Sequence, residues 1–353
     1  MSAGAPGRFN TTLSRRGAAG SRVLLAPFRG LPDLLRKFAV PSAAVLRQFG
    51  LTEEQLEAAE LSGSFAELSR LLSHCAATTN CGHFTLLLSR SVSLRSLGVV
   101  GRLARYAPTV RVALEDLVTY FTLHDGGAAL DLRVEDNAAT FSYTIHAKTV
   151  TAREQIYDFA TGVMVNVMKE LCGAEWRPEL VMLPRKPPPD LQPYRATIKA
   201  PLQFDALQAA VVFPSAWLAR PVPSADPILY RLLLREACAS VEEKEPLVCS
   251  NVRRAIIRLL HEGRCSRREV AQMLGLHERT LGRALHASGT TFQQLLDDTR
   301  SELARQLLHD THVPISHIAR ELGFRDSTVL TRAFRRWNHV SPREYRNGLR
   351  SAH

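Results

Sequence analysis

The chain has 353 residues, of which 45% are hydrophobic and 22% are charged, and its formal net charge is +11. This length exceeds the size at which single hydrophobic cores usually stop growing, so two domains are expected. The composition excludes collagen-like, fibrous and largely disordered proteins, and the sequence lacks the apolar run of about 18 residues that predicts a membrane span.

The positive charge is concentrated in the last third of the chain. Residues 251–353 contain 18 arginines, no lysine and 10 acidic residues, a net charge of about +8, and the rest of the chain carries about +3. A basic domain beside a nearly neutral one is typical of nucleic-acid-binding proteins. The exclusive use of arginine supports this interpretation, because the planar guanidinium suits phosphates and base edges. A merely solvated surface would more often include lysine.

The N-terminal segment predicts no folded element. Residues 1–32 hold five arginines and no acidic residue among many small residues. Organellar transit peptides have such a composition, and so do disordered basic segments. We interpret residues 1–39 as a flexible basic leader.

Residues 40–240 predict one α+β domain. Apolar residues three and four apart predict three early helices, within 52–61, 64–77 and 110–124. Strict alternation over 130–135 and 141–145 then predicts a β-hairpin. A long amphipathic helix over 156–171 and two short buried strands, "LVMLP" and "AAVVFP", follow. Such domains commonly contain a cavity, and we expect this one to bind a small organic effector or to mediate dimerisation.

The front domain carries no recognisable catalytic motif. The sequence lacks a G-x-S-x-G elbow, a Walker-type loop, a G-x-G-x-x-G turn after a strand and an H-E-x-x-H pair. Six cysteines without paired spacing fit a reducing cytoplasm. The stretch "HCAATTNCGH" has four ligand-type residues but no C-x2-C pair, so a helix end explains it better than zinc. We predict no enzyme activity, no metal and no cofactor.

Two similar segments follow the charged stretch 241–247, which we interpret as a linker. "VAQMLGLHERTLGRAL" begins at Val270, and "IARELGFRDSTVLTRAF" begins 48 residues later at Ile318. Each has an alanine over which a second helix can pack closely, and a glycine that supplies the left-handed turn ending the first helix. This pattern predicts two helix-turn-helix units in an all-α domain over 248–353.

The second helix of each unit has two apolar anchors four residues apart, Leu281 with Leu285 and Leu330 with Phe334. The residues facing away from these anchors are candidates for DNA contact. They are Arg279, Gly282, Arg283 and His286 in the first unit and Ser327, Thr328, Thr331, Arg332 and Arg335 in the second. A solvated face of an amphipathic hairpin is the alternative, but an arginine two residues after the first anchor in both units favours DNA.

The last hundred residues resemble the AraC/XylS family of bacterial transcription regulators. The resemblance is carried by "EVAQMLGLHERTLGRAL", "FQQLLDDTRSELARQLL", "IARELGF", "TRAFRRW" and "SPREYR". It implies two helix-turn-helix units joined by a long helix, and the preceding region is similar to the arabinose-binding-type N-terminal domain of one branch. By this resemblance the base-reading residues are Arg279, Gly282, Arg283, Ser327, Thr328, Thr331 and Arg332. Arg335 and Arg336 lie later on the helix, and we assign at least one of them to phosphate.

Three positions depart from the family pattern. His277 stands where a serine or another capping residue is usual, so the first recognition helix is expected to begin less firmly. Gly282 offers no side chain at a base-facing position, and it costs roughly 1 kcal/mol of helix propensity. Leu330 replaces the more usual phenylalanine, which requires only mild repacking. We therefore expect the second unit to read more bases than the first.

The geometry of duplex DNA explains the repeat. A joining helix from about Phe292 to His309 would span roughly 27 Å at 1.5 Å per residue. With its flanking turns it would place two recognition helices about one DNA turn apart, near 34 Å, on one face of the duplex. The sequence thus predicts a double-stranded DNA reader.

We interpret the chain as a cytoplasmic transcription regulator with a sensor or dimerisation domain in front of this reader. The expected partners are double-stranded DNA, a small organic effector, a second copy of the chain and, by the family resemblance, RNA polymerase, without a membrane. A DNA-modifying or amidotransferase-like enzyme fused to the reader is the first alternative, and it would need a catalytic cluster. An architectural, sequence-indifferent DNA binder is the second, and it has no obvious use for a front domain of this size.

Overall fold

The computed structural model describes residues 22–58, 61–147, 150, 153–242, 248–261 and 263–350. Within it the chain forms two compact units. The front unit runs to Val241, apart from two short pieces. The C-terminal unit begins at Glu242 and also includes those pieces, which are Pro184–Lys186 and Asp205–Leu207.

Ten α-helices, four short 3-10 helices and seven strands are described in the front unit. The helices are α1 Leu31–Lys37, α2 Ser42–Gln48, α3 Glu53–Glu57, α4 Phe65–Thr78, α5 Phe84–Ser89, α6 Gly98–Tyr106, α7 Val110–Tyr120, α8 Arg153–Cys172, α9 Gln192–Ile198 and α10 Pro227–Glu242. The strands are β1 Arg22–Leu24, β2 Ser62–Ser64, β3 Ala128–Glu135, β4 Ala138–Ile145, β5 Leu180–Met182, β6 Leu202–Gln203 and β7 Ala209–Pro214. The unit is thus α+β, as predicted.

The predicted leader is wrong for residues 22–39. β1 pairs antiparallel with β2, and α1 follows within this segment. Leu25, Phe28, Leu31 and Leu35 from the same segment are buried in the core of the front unit. Burial of these apolar side chains drives this segment to fold. The prediction failed because it rested on the basic composition of the segment and not on the positions of its apolar residues. Residues 1–21 lie outside the described part of the chain.

A five-stranded sheet has the order β3-β4-β7-β5-β6. β3 and β4 form the predicted hairpin, with Leu130 opposite Tyr143 and Leu132 opposite Phe141. β7 lies between β4 and β5 and runs antiparallel to both, and β6 is parallel to β5. The long helix α8 packs on β4 and β7, so its buried stripe and the sheet face share one core.

The C-terminal unit is entirely helical in its described residues. Its helices are α11 Val248–His261, α12 Arg267–Met273, α13 Glu278–Ala287, α14 Phe292–Asp310, α15 Ile315–Glu321, α16 Ser327–Asn338 and α17 Pro342–Arg350. A separate core holds them together and includes Val252, Ile256, Leu303 and Leu307. This agrees with the predicted all-α domain.

Two further features bear on the organisation of the chain. No helix among the described residues combines the length and the apolarity that a bilayer crossing requires. Of the proposed linker 241–247, only Val241 and Glu242 are described, and both lie at the end of α10. The prediction for residues 243–247 falls outside the described residues.

Candidate nucleic-acid interface

α12 and α13 form the first helix-turn-helix unit. Ser266 caps α12, because its hydroxyl accepts the Glu269 backbone N–H at 3.2 Å. Gly275 follows with a φ of 65°, the left-handed conformation that a side chain would strain. Leu281 and Leu285 are fully buried, so the opposite face of α13 is turned away from the core.

α15 and α16 repeat this arrangement with a stronger cap. Gly323 makes the turn with a φ of 69°. The Asp326 carboxylate accepts the backbone N–H groups of Thr328 at 2.8 Å and Val329 at 3.0 Å. These hydrogen bonds satisfy donors at the start of α16 and, with the Arg325 charge, hold the pKa of Asp326 below its usual value. Leu330 and Phe334 are the buried anchors.

α14 joins the two units. It has 19 residues and begins with a capping box between Thr291 and Gln294. Arg300 on this helix donates through Nε to the Leu322 carbonyl at 2.8 Å, and its guanidinium lies 4.7 Å from the centroid of the Phe324 ring. The second turn is therefore fixed directly to the joining helix.

The outward faces of α13 and α16 correspond residue by residue at an offset of 49. Arg279, Arg283 and His286 recur four and then three residues apart, which places them on one stripe of α13. Thr328, Arg332 and Arg335 occupy the matching stripe of α16. All six side chains are exposed. All six were named from the sequence as candidates for DNA contact.

The other selected residues lie at the margin of these stripes or are engaged elsewhere. Gly282, Ser327 and Thr331 are half-buried. The Thr331 hydroxyl donates to the Ser327 carbonyl at 2.7 Å, so it is occupied within its own helix. Arg336 donates to Asp297 of α14 at 3.0 Å, and this pair draws its guanidinium back towards the joining helix.

Arg267 covers Gly282, a contact that sequence reasoning missed. A Cβ on Gly282 would stand 3.1 Å from Arg267 Nη2. The same nitrogen donates to the Glu278 carbonyl at 2.9 Å. A guanidinium from α12 thus takes the space in which a side chain at position 282 would lie. The one sequence signal for this contact was the position of Arg267, which directly follows the Ser266 cap at the start of α12.

His277 caps α13 despite the unusual residue type. Its Nδ1 accepts the Arg279 backbone N–H at 3.3 Å. One long hydrogen bond satisfies fewer donors than the two that Asp326 accepts in the second unit. This geometry agrees with the expectation that the N-terminus of α13 is held less firmly than the N-terminus of α16.

Val329 is a second residue that the sequence analysis left out. Its side chain is 38% exposed on α16, beside Thr328. Apolar side chains at such positions can contact the methyl group of thymine in the major groove. The sequence signal for Val329 was its position outside the stripe of Leu330 and Phe334, because an apolar residue there is not needed for packing in the core.

The possible zinc cluster of the front unit has no structural support in the described residues. They include no group of three or more His, Cys, Asp or Glu side chains placed to hold a metal ion. Burial raises the pKa of the Cys75 thiol to about 12, which disfavours the thiolate that zinc requires.

Two helix-turn-helix units with exposed arginines, joined by one long helix, define a DNA-binding protein of the tandem helix-turn-helix class. Residues 40–222 match the family model described as the arabinose-binding N-terminal domain of the AraC transcription regulator, and residues 270–348 match a helix-turn-helix domain. The chain belongs to the AraC family of transcription regulators, and the predicted resemblance is confirmed.

Two curated relatives match over nearly their whole length. The HTH-type transcriptional regulator VirS of Mycobacterium tuberculosis is 27% identical over 331 residues, 93% of this chain and 97% of the relative. The ornithine utilization regulator of Pseudomonas aeruginosa is 27% identical over 335 residues, 92% of this chain and 96% of the relative. The crystal structure of CdpR from Pseudomonas aeruginosa aligns with a TM-score of 0.47 and 22% identity, covering 91% of this chain and 98% of that chain.

The helix-turn-helix family match and the two curated relatives favour a DNA-binding transcription regulator over an enzyme fused to a DNA reader. The N-terminal family match adds a domain type that is associated with effector control.

Proposed function

We propose that α13 and α16 read base edges in successive major grooves of one operator. The observation that carries this proposal is the residue-by-residue correspondence of their outward stripes. Arg279 and Arg283 are base-reading residues of the first unit. At Gly282, which has no side chain, the guanidinium of Arg267 takes the space that a side chain would fill. Base-reading residues of the second unit are Ser327, Thr328, Thr331 and Arg332, and the Thr331 hydroxyl can only accept from a base because its hydrogen is donated to the Ser327 carbonyl.

We expect binding of the full chain to its operator to depend steeply on salt. Each phosphate neutralised by an arginine releases counterions, so three such contacts reduce affinity about 40-fold between about 50 and 200 mM salt. Fluorescence anisotropy with a labelled duplex measures this slope. Residues 248–353 alone should fold and show the same slope, because their helices share their own core. Affinity that hardly changes with salt contradicts the proposal.

Arg335 and Arg336 should differ in their effect on the salt slope. Arg335→Ala should weaken binding to all duplexes about equally and reduce the slope by about one, as expected for a phosphate contact. Arg336→Ala should change it less, because that side chain is already paired with Asp297. Titrations of both variants at several salt concentrations give the comparison, and the reverse order would transfer the phosphate contact to Arg336.

We propose that the front unit binds a small organic effector that changes affinity for the operator. The family match and the cavity of this unit support the proposal. Thermal-shift screening of the full chain against amino acids, sugars and short carboxylic acids is the first test. Ornithine belongs in the panel because one relative is an ornithine utilization regulator. A role in dimerisation alone would leave every compound without effect on operator affinity.

We also propose that the chain acts as a homodimer that contacts RNA polymerase. Ile228 and Leu232 are 65% and 56% exposed and lie one helical turn apart on α10, so together they form an exposed apolar patch of the kind that marks protein interfaces. Ile228→Glu combined with Leu232→Glu should shift the dimer to monomer in analytical ultracentrifugation. Arg47→Glu, at an exposed site on α2, changes the net charge equally and should leave the dimer intact. A double variant that remains dimeric would place the interface elsewhere.

We propose that the chain has no enzyme activity and works in the cytoplasm. Its six unpaired cysteines suit a reducing compartment. The proposed domains are an effector-binding and dimerisation domain from residue 22 to 240, a linker over 241–247 and a DNA-binding domain over 248–353.

A further inference from the structure

The front unit contains a cavity between α4, α7, α8 and the β3–β4 hairpin. Its empty volume is about 670 Å³ with the open mouth included. The part of this space that the centre of a water molecule can occupy is about 70 Å³, and one water needs about 10–15 Å³ on that measure, so the cavity suits only a small ligand. Of the twenty residues that line it, seventeen are apolar and five of these are phenylalanines. The walls therefore offer mainly hydrocarbon and aromatic contacts.

The three polar residues of the wall are His124, Asp125 and Tyr143. The Asp125 carboxyl accepts the Gly127 backbone N–H at 2.7 Å through one oxygen and the Tyr143 hydroxyl at 3.1 Å through the other. A carboxylate has about four acceptor sites, and the Tyr143 oxygen can still accept, so this end retains hydrogen-bonding capacity.

His124 supplies an unused hydrogen-bonding atom at the same end. Its side chain is buried and packs against the Phe121 ring, with the ring centroids 5.6 Å apart. The buried Nδ1 atom has no hydrogen-bond partner among the residues that the structure describes. Leaving a buried polar atom unpaired is costly, and a ligand hydroxyl could pair with it in either imidazole tautomer, because a hydroxyl both donates and accepts.

The charge of the cavity selects against anions. The described residues of its lining include no lysine or arginine. Burial lowers the pKa of His124 to about 4 and raises the pKa of Asp125 to about 7. At neutral pH the imidazole is therefore uncharged, and the only charge that the wall can carry is negative. A ligand carboxylate would be buried there without a counterion.

The same wall does not suit a sugar, although the family model that covers this unit is named for arabinose. A pentose carries several hydroxyl groups around its whole ring. Three polar side chains, gathered at one end, cannot pair with them all, and the remaining hydroxyls would face hydrocarbon. The cavity thus differs from a sugar site in the number and the placement of its polar groups.

We propose that this cavity is the effector site and that it takes a small, uncharged, largely hydrocarbon molecule with one hydroxyl group directed at His124, Asp125 and Tyr143. This inference rests on the proposed effector control and specifies the chemistry of the effector. The aromatic walls make an alkylphenol a suitable probe.

The test is titration of the full chain with 4-propylphenol by isothermal calorimetry. We expect saturable binding of 4-propylphenol. 4-Propylbenzoate should bind at least about tenfold more weakly because its carboxylate finds no counterion in the cavity, and propylbenzene should bind at least about tenfold more weakly because it lacks the hydroxyl group. L-Arabinose should show no saturable binding. Equal affinity for the phenol and the benzoate, or saturable binding of arabinose alone, overturns the proposal.

Two variants locate the binding in the cavity. Ala160→Phe fills space beside the wall and should reduce affinity for 4-propylphenol at least about tenfold. His124→Phe keeps a ring of similar size, and it should remove the preference for 4-propylphenol over propylbenzene without weakening propylbenzene. A merely structural role for His124 would weaken both compounds alike. If Ala160→Phe does not fold, the His124→Phe comparison alone decides the result.

Operator binding separates this inference from the proposed function. If 4-propylphenol binds in the cavity without altering DNA affinity, the ligand class stands and effector control through this cavity fails. If it does not bind while another metabolite, such as ornithine, alters DNA affinity, effector control stands and the proposed ligand class is overturned.

Discussion

Replacing Arg332 with alanine is expected to weaken binding to the operator by about 1–3 kcal/mol and to relax the preference at one or two base pairs. Arg332 is exposed on α16, two residues after the buried anchor Leu330. That position turns its guanidinium away from the core, where it can donate two hydrogen bonds to guanine. Arg283 has the same relation to Leu281, so Arg283→Ala should act in the same way on the first half of the site.

The effect of Arg332→Ala should at least equal that of Arg283→Ala. The Asp326 carboxylate fixes the start of α16 with two hydrogen bonds, and His277 fixes the start of α13 with one. A firmly held helix loses less entropy on docking, so more of the contact energy appears as affinity. Binding of each variant to the operator and to scrambled duplexes supplies the measurement.

Arg47→Ala provides a control for the loss of one positive charge. Arg47 is exposed on α2 of the front unit, and its removal should leave operator affinity within experimental error. If Arg283→Ala and Arg332→Ala weaken operator and scrambled duplexes equally, both side chains contact the DNA backbone, and the proposed readout of bases is wrong.

Phe334→Ala should destabilise the C-terminal unit by about 3–5 kcal/mol. Phe334 is fully buried, and its ring meets that of Tyr345 edge to face at 5.5 Å. Its removal leaves a cavity between α16 and α17 and loosens the recognition helix. Loss of DNA binding should therefore exceed that of Arg332→Ala, although Phe334 does not face the DNA.

Trp337 allows this prediction to be measured by denaturant unfolding of residues 248–353. It is the only tryptophan in that segment, and its ring lies 6.0 Å from the Phe324 ring, so its emission reports on the second unit. Val329→Ala, at an exposed site on the same helix, should change the free energy of unfolding by less than about 0.5 kcal/mol. Similar effects of the two substitutions would show that Phe334 is not a structural anchor.

The helices and turns of the DNA-binding units could be predicted because their signals are local. Apolar anchors four residues apart and a glycine after leucine specify a helix, a turn and a second helix within a few residues. The same holds for the hairpin of β3 and β4, whose alternation indicated both strands. The predicted joining helix, from about Phe292 to His309, agrees with α14 to within one residue.

The contributions of single side chains to the interface depended on more distant contacts. Arg335 and Arg336 are equivalent in the sequence, but of these two arginines it is Arg336 that donates to Asp297 of the joining helix in the described part of the chain. Gly282 predicted a missing contact, and the structure places Arg267 of the preceding helix over it. Neither relation has a local sequence signal, because each joins residues from two separate helices.

The sequence by itself determined the class of this protein. A basic, lysine-free C-terminal third and a repeated helix-turn-helix pattern identified a tandem DNA reader, since charge and periodicity are properties of the chain before it folds. Only the tertiary structure decided that residues 22–39 belong to the front core, that β7 lies between β4 and β5, and that His124, Asp125 and Tyr143 meet at one end of an apolar cavity. These features arise when distant segments pack together, and packing depends on the combined shapes of many side chains, which no short stretch of sequence contains.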